Sequence, residues 1–345
     1  MIRILIATSD RKAGGIQRAL RDQIALFADD DDLSLSVLAP ASDFADTLTD
    51  MGLTPILLSD RDRWVMRHMP WATKWLFQKR LSTPQVKSTP QAHYDIALCH
   101  NGFLAKGLKQ IAKQVIGICH NDKPHHFQAC DKLVCLTQAG HTKALAQGWH
   151  EKDICVIGHY HQGDAISKSP RKQPVIIGAA GRMVTKKNFA LFLEIAALVK
   201  KTHPHIIFHL AGTGPLESQL KARNQALGAP VTFLGWTNFN EFLDQISLLI
   251  VPSLDEPFGY VFPEAMSQSV AIMATPTNGA HHCLGDGEIA PILSADAPDE
   301  FAKKIILLAE DESAMQALQE RCYNHSQSRL FAKQSAYEAW RTLLR

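Results

Sequence analysis

Two carboxylates, Glu256 and Glu264, stand eight positions apart in the stretch Glu256-Pro257-Phe258-Gly259-Tyr260-Val261-Phe262-Pro263-Glu264. An ionised carboxylate only accepts hydrogen bonds and has about four lone-pair sites, so it suits the hydroxyls of a sugar ring. The preceding run, Leu248-Leu249-Ile250-Val251-Pro252, is short, apolar and branched, as a strand buried on both faces should be. Pro263 fits a first helical position. The two glutamates therefore straddle a strand-to-helix junction, where Gly259 lets a ligand approach the backbone and a helix start offers amide donors to an anion. Carboxylates at both ends of an anion site match a ligand with phosphates between two sets of hydroxyls, which is the layout of a nucleotide sugar.

The wider setting reads Pro252-Ser253, Glu256, Phe258-Gly259 and Glu264-Ala265. It resembles the P-S-x-x-E-x-F-G-x-x-x-x-E-A hallmark of the retaining GT-B glycosyltransferases of family 4, and the whole setting is far more specific than two glutamates at that spacing. The resemblance implies that Glu264 accepts from the ribose hydroxyls and Glu256 from hydroxyls of the transferred sugar. It also implies that backbone amides within Phe258, Gly259, Tyr260 and Val261 hold sugar or phosphate. Asp255 is a neighbouring acid, but the family spacing selects Glu256.

Gly181-Arg182-Met183-Val184-Thr185-Lys186-Lys187 follows a strand candidate, and α/β sheets bind ligands at strand carboxyl ends. Alone it would read as a solvated basic loop. Beside the downstream glutamates it resembles the family's G-R-L-x-x-x-K-G, whose Arg and Lys act on the donor diphosphate. Arg182 would supply a planar fork and Lys187 a compact charge to the leaving nucleoside diphosphate. Asn188 replaces the family's Gly, and Asn tolerates a left-handed backbone better than most residues. Gly212-Thr213-Gly214-Pro215 matches the family's G-x-G-P turn. Trp236, after Leu234-Gly235, is counted with the donor-binding residues, although packing in the core is the commoner fate of such a tryptophan.

In the first half, Gly14-Gly15 follows the first strand candidate and precedes a helix expected from Ile16. The resemblance places such a turn near the donor phosphate, with Gly15 the closer of the two. No complete G-x-G-x-x-G is present, which argues against a dinucleotide cofactor. His120, before Asn121-Asp122, matches a histidine that relatives place beside the transferred sugar, and His100 ends the neighbouring strand in the same way. His125-His126, His159-x-His161 and His281-His282 lack the spacing zinc sites favour. No cofactor and no divalent metal are expected. Two departures bear on the sugar pocket: Gly158-His159-Tyr160-His161 stands where relatives often read N-G-V-D, and Asn278-Gly279-Ala280-His281-His282 where they read G-G-x-x-E.

These residues need elements to position them. At 345 residues and 46% hydrophobic, the chain can bury a large core and suggests two domains. Short apolar runs alternate with amphipathic stretches, the pattern of parallel sheets covered by helices. Strands are expected over 2–7, 33–38, 55–58, 95–99, 115–119, 132–136 and 154–157, then over 175–179, 206–210, 231–234, 248–251 and 271–274. A polar stretch rich in turn formers, 163–174, reads as a linker. The expectation is α/β: two Rossmann-like doubly wound domains, 1–165 on the acceptor side and 174–326 on the donor side, facing across a cleft. A C-terminal helix within 327–345 would pack back on the first domain.

Composition narrows the partners. A net charge of +2 points to no nucleic acid. Seven cysteines without a C-x-x-C pair read as reduced thiols of a cytoplasmic protein, with Cys99, Cys119, Cys135 and Cys155 in the core. The apolar stretch at the amino terminus is too short for an export signal, and no run is long enough to span a bilayer. Arg61 to Arg80 carries six Lys or Arg against Asp62, with Trp64, Trp71, Trp75 and Phe77 interleaved. It suits an anionic membrane surface as two short helical pieces broken at Pro70, or else a helix whose tryptophans pack on the sheet. The expected activity is transfer of a sugar, with retention, from a nucleoside-diphosphate sugar to a saccharide or lipid-linked saccharide. Competing readings are a nucleotide-sugar epimerase of the same fold and a non-catalytic nucleotide-sugar-binding protein.

Overall fold

The computed structural model describes residues 1–11, 14–76, 94–161 and 175–345. The chain divides into two compact units, Met1–Tyr160 with Lys333–Arg345, and His161–Ala332. The whole 163–174 stretch falls outside the described residues, as do Phe77, Lys79 and Arg80.

The first unit is built on seven parallel strands in the order β3-β2-β1-β4-β5-β6-β7. They are β1 (Ile2–Ala7), β2 (Leu33–Pro40), β3 (Ile56–Leu58), β4 (Tyr94–Cys99), β5 (Ala112–Cys119), β6 (Lys132–Cys135) and β7 (Ile154–Val156). Its helices are α1 (Gly15–Phe27), α2 (Asp43–Asp50), α3 (Asp60–His68), α4 (Ala105–Leu108) and α5 (Gln138–Ala146). Ile4, Leu5 and Ile6 are fully buried, as a central parallel strand requires, and each such side chain stabilises the fold by about 1.5–3 kcal/mol. The order of pairing reverses between β1 and β4, whose register sets Ala7 opposite Cys99. That reversal is the switch point where such sheets open a crevice at their carboxyl ends.

The second unit repeats the design with β10-β9-β8-β11-β12, all parallel. These are β8 (Ile176–Ala180), β9 (Ile207–Ala211), β10 (Thr232–Gly235), β11 (Leu248–Val251) and β12 (Ala271–Ala274). Around them lie α6 (Phe189–Lys200), α7 (Glu217–Ala226), α8 (Phe239–Gln245), α9 (Val261–Ser267), α10 (Asn278–Cys283), α11 (Pro298–Glu310) and α12 (Glu312–Ser326). Its switch point lies between β8 and β11, paired through Leu248 and Ile177.

The last helix, α13 (Lys333–Leu343), belongs to the first unit. Trp340 meets Phe27 of α1 edge-on at 6.0 Å. The Tyr337 hydroxyl donates to Asp30 Oδ2 at 2.7 Å, and Arg341 spans Asp30 and Asp32. Cys99, Cys119 and Cys135 are buried free thiols, whereas Cys155 is half-buried. Burial pushes the Cys119 thiol up to about 11 and Cys135 to about 12, so these groups pack rather than react. Among the described residues no helix is long and apolar enough to cross a membrane.

Candidate active site

In the second unit, two loops leave adjacent strands at the switch point. The loop after β8 turns through Thr185–Lys187 into α6, with Asn188 at φ 48° in the left-handed region that Asn tolerates. The loop after β11 is tied down at several points. The Leu254 amide donates to Lys186 O at 2.8 Å, and the Gly279 amide to Glu256 O at 2.7 Å. Thr275 Oγ1 donates to Val251 O at 3.2 Å and Ser253 O at 2.5 Å. A Cβ on Gly279 would sit 2.2 Å from Phe258 O, so only glycine lets α10 start against this loop. These ties bring Lys187 and Glu256, 69 residues apart, into a direct ion pair between partly buried side chains. Ser253 Oγ stands 3.5 Å from the same Glu256 oxygen, while Asp255 points to solvent.

Pro263 is the third residue of α9, not the first. It costs no hydrogen bond there, because the first four amides of a helix have no partner within the helix. Gly259 takes φ +80°, and a Cβ would strike the Phe262 ring at 2.6 Å. Val261 and Glu264, one turn apart, share a helix face and line a cavity of about 510 Å³. Arg182, Lys187, Gly212, Gly214 and Trp236 line the same cavity. Phe258 does not: its ring is 3% exposed and lies edge-on to Tyr260 and tilted against His282. Neither Gly259 nor Tyr260 lines it, so the expectation for residues 258–260 rests on backbone alone.

The 212–214 turn needs its glycines for protein packing. Gly212 has φ +119°, and a Cβ there would meet Gly181 O at 2.0 Å; a Cβ on Gly214 would meet Met183 N and O at 2.6 Å. Amides of Gly181, Met183 and Gly212 then bond Ala211 O, Thr213 O and Gly235 O, lashing the ends of β8, β9 and β10 together under the cavity. Trp236 follows β10 with 80% of its surface exposed. The core position that is commoner for tryptophan is thereby overturned. Exposure at the mouth of a cavity is what a stacking platform needs. A larger groove of about 710 Å³, lined by Leu198, Lys201 and Leu227 among others, holds none of the motif residues.

Gly14, Gly15 and His120 belong to the first unit. Helix α1 starts at Gly15, one residue before the expected Ile16. A Cβ on either glycine would meet nothing within 4 Å, so the protein's own packing does not demand glycine there. His120 follows β5, and its Nε2 lies 2.8 Å from His100 Nδ1. His100 Nε2 lies 2.9 Å from Gln23 Oε1, and the His159 ring stacks on His120 at 5.6 Å. Burial holds His120 down to about 4 and His100 and His159 well below the usual imidazole range. Sequence reading named His100 and His120 by their places at strand ends, but it missed Gln23, and His159 entered only as a departure from N-G-V-D. An inward Gln at the fourth position after buried Ala19 on α1 was the available signal.

Residues 163–328 match the family model described as glycosyl transferases group 1. Among curated proteins, the chain is 27% identical over 192 residues to the GalNAc-alpha-(1->4)-GalNAc-alpha-(1->3)-diNAcBac-PP-undecaprenol alpha-1,4-N-acetyl-D-galactosaminyltransferase of Campylobacter jejuni, covering 54% of this chain and 53% of that protein. It is 24% identical over 285 residues to the D-inositol 3-phosphate glycosyltransferase of Corynebacterium kroppenstedtii, covering 73% and 60%. The matched stretches thus span about half the length of these relatives. HepE of Anabaena, solved in complex with UDP-glucose, superposes with a TM-score of 0.80 at 18% identity over 99% of each chain. The second unit is thus similar to the glycosyl transferases group 1, and the chain has the GT-B fold.

Proposed function

We propose that the protein is a retaining, metal-independent glycosyltransferase moving a sugar from a nucleoside-diphosphate sugar to a saccharide or lipid-linked saccharide, in envelope polysaccharide or lipopolysaccharide synthesis. The observation that carries this reading is the meeting of Lys187 with Glu256 beside a cavity that also holds Arg182, Glu264 and Trp236. Two cations and two carboxylates there match a ligand with a diphosphate between two polyols. Trp236 offers a face to the base, and Glu264 accepts from the ribose. Lys187 and Glu256 satisfy each other in an ion pair. Donor binding exchanges that pair for Lys187 on phosphate and Glu256 on sugar hydroxyl.

In the transfer step the acceptor oxygen bonds to the anomeric carbon on the face that the diphosphate leaves. The carbon–oxygen bond to the diphosphate breaks, and the hydroxyl proton passes to a diphosphate oxygen. Arg182 and Lys187 stabilise the charge that grows on the leaving group, so catalysis is positioning and electrostatics. Gly14 and Gly15 approach the donor phosphate, and His120 faces the sugar.

The acceptor reading draws on the Campylobacter relative, whose name specifies a saccharide on a polyprenyl diphosphate. A peripheral place on the inner membrane face accords with Trp64, Trp71 and Trp75, which are 54%, 71% and 60% exposed rather than packed on the sheet. Helix α3 ends at His68, two residues before Pro70, and Arg67 and Lys74 flank the tryptophans. Tryptophans beside cations suit an anionic interface.

The first test is thermal stabilisation by UDP-, GDP-, ADP- and TDP-sugars, repeated with Arg182→Ala and Glu264→Ala, then transfer with and without a chelator. One nucleotide class should stabilise the protein, both variants should lose the shift, and chelation should change nothing. No shift with any donor overturns the reading, and donor conversion without an acceptor replaces it with epimerisation.

A further inference from the structure

Gln23, His100 and His120 come from α1 and from the ends of β4 and β5, and they form a chain of hydrogen bonds whose direction follows from one atom. The amide oxygen Oε1 of Gln23 can only accept, so the His100 nitrogen facing it at 2.9 Å, Nε2, carries a proton. His100 is 3% exposed, and burial disfavours its charged form. A neutral His100 protonated on Nε2 has a bare Nδ1, which must accept. Its partner at 2.8 Å is His120 Nε2, which therefore donates. Neutral His120 is then bare at Nδ1. No protein partner for that atom is found among the described residues.

His120 and His100 line a cavity of about 310 Å³ with Arg67, Asn101, Phe103 and Asn121. The rings lie nearly parallel. The centroids of His100 and His120 are 5.0 Å apart, the edge-to-edge spacing of a ring N–H···N bond, and those of His120 and His159 are 5.6 Å apart. The charged neighbours on α1, Arg18 and Asp22, pair with each other at 3.8 Å, and the Tyr160 hydroxyl donates to Asp22 O at 2.7 Å.

We infer that Gln23 and His100 are positioning residues that hold His120 as its Nε2–H tautomer and so present Nδ1 to the substrate as a hydrogen-bond acceptor, selecting a sugar hydroxyl at that point. A carbonyl, carboxylate or phosphate oxygen placed there would face another acceptor and be rejected. The inference rests on the reading of His120 as a substrate-facing residue.

The test is imidazole nitrogen NMR on the full chain labelled with 15N-histidine, with the His120 signals identified by their loss in His120→Gln, together with steady-state transfer kinetics. Wild type should show His120 as the neutral Nε2–H tautomer. Gln23→Glu, which keeps an acceptor at the same reach, should retain that spectrum and most of the activity. Gln23→Leu, of similar volume but without an acceptor, should average the two tautomers and lower kcat about fivefold to tenfold, the loss of one hydrogen bond, with nucleoside diphosphate affinity unchanged. An Nδ1–H tautomer in wild type overturns the relay whether or not the variant folds. So does a Gln23→Leu protein with wild-type spectrum and kcat. Full transfer by His120→Gln alongside an Nε2–H spectrum overturns the premise instead.

Discussion

The second unit gathers opposite charges at its switch point, Lys187 against Glu256 with Arg182 beside them. The first unit gathers neutral, nearly parallel rings near its own, His100, His120 and His159. Both places sit at carboxyl ends of parallel strands, so the backbone design is the same and the chemistry differs. Charges can be kept partly buried when they pair with each other, as Lys187 and Glu256 do. Imidazoles kept neutral by burial instead recognise by the direction of a hydrogen bond, which leaves geometry as their means of discrimination. The contrast implies that the two places fail in different ways when altered.

The largest failure is expected where charge builds in the reaction. Arg182→Ala and Lys187→Ala should each lower kcat/KM for transfer by about 10²–10³, the loss usual when one donor to a developing oxyanion is removed. His120 or Gln23 variants should stay about tenfold or less. Comparable losses at the two places, measured by initial rates with one donor and acceptor, would erase the distinction.

A second contrast is pH. The three imidazoles have folded values below their unfolded value of about 6.5. Above pH 6.5 both states are neutral at these positions and stability is unaffected. As pH falls, the unfolded chain binds protons that the native cluster refuses, so stability is lost, and for His120 the loss levels off near 4. Each imidazole contributes a slope of up to about 1.4 kcal/mol per pH unit, so three give up to about 4. Urea unfolding at pH 7, 6 and 5 should show this fall, and His159→Phe should flatten it by about a third. An unchanged slope in that variant would place the acid sensitivity elsewhere.

The fold was legible because parallel strands buried on both faces are continuous apolar runs. All twelve windows expected from that pattern overlap strands β1 to β12. The Lys187 and Glu256 meeting was within reach too, since each follows a strand closely and adjacent strands at a switch point bring such loops together. The His100 relay was not. Its members lie 77 and 20 residues apart, and nothing in the local spacing of Gln23 says that it faces a histidine. Trp236 was counted with the donor-binding residues on its place after a strand, but its 80% exposure was not legible, because a tryptophan beside a strand usually packs and an exposed one leaves the same local pattern. Pro263 was displaced by two positions because α9 begins at Val261, and the third helical position forgives a missing amide as readily as the first.

Within the charged place, Glu256→Gln should separate binding from transfer. Removing the carboxylate frees Lys187 for phosphate, so affinity for the free nucleoside diphosphate should rise about fivefold, an exchange worth about 1 kcal/mol. Transfer should fall at the same time, because the sugar loses a charged acceptor. A calorimetric Kd that weakens with the substitution would mean that Glu256 supports the nucleotide rather than competing with it.

The smallest effect is expected at the rim. Trp236 is 80% exposed, so its removal opens no hole in the core and should leave thermal stability without ligand unchanged. Stacking of an aromatic on a base contributes about 1–3 kcal/mol, and a ring open to water on most of its surface belongs at the low end. Trp236→Ala should therefore weaken nucleoside diphosphate affinity about fivefold and leave kcat at saturating donor unaltered, whereas Trp236→Phe should recover most of the affinity. Because stacking tolerates any base, the preference among uridine, guanosine, adenosine and thymidine donors should survive the substitution. If the preference collapses instead, the ring reads the base edge as well as its face, and the rim of the charged cavity would then discriminate by direction, as the imidazole cluster does.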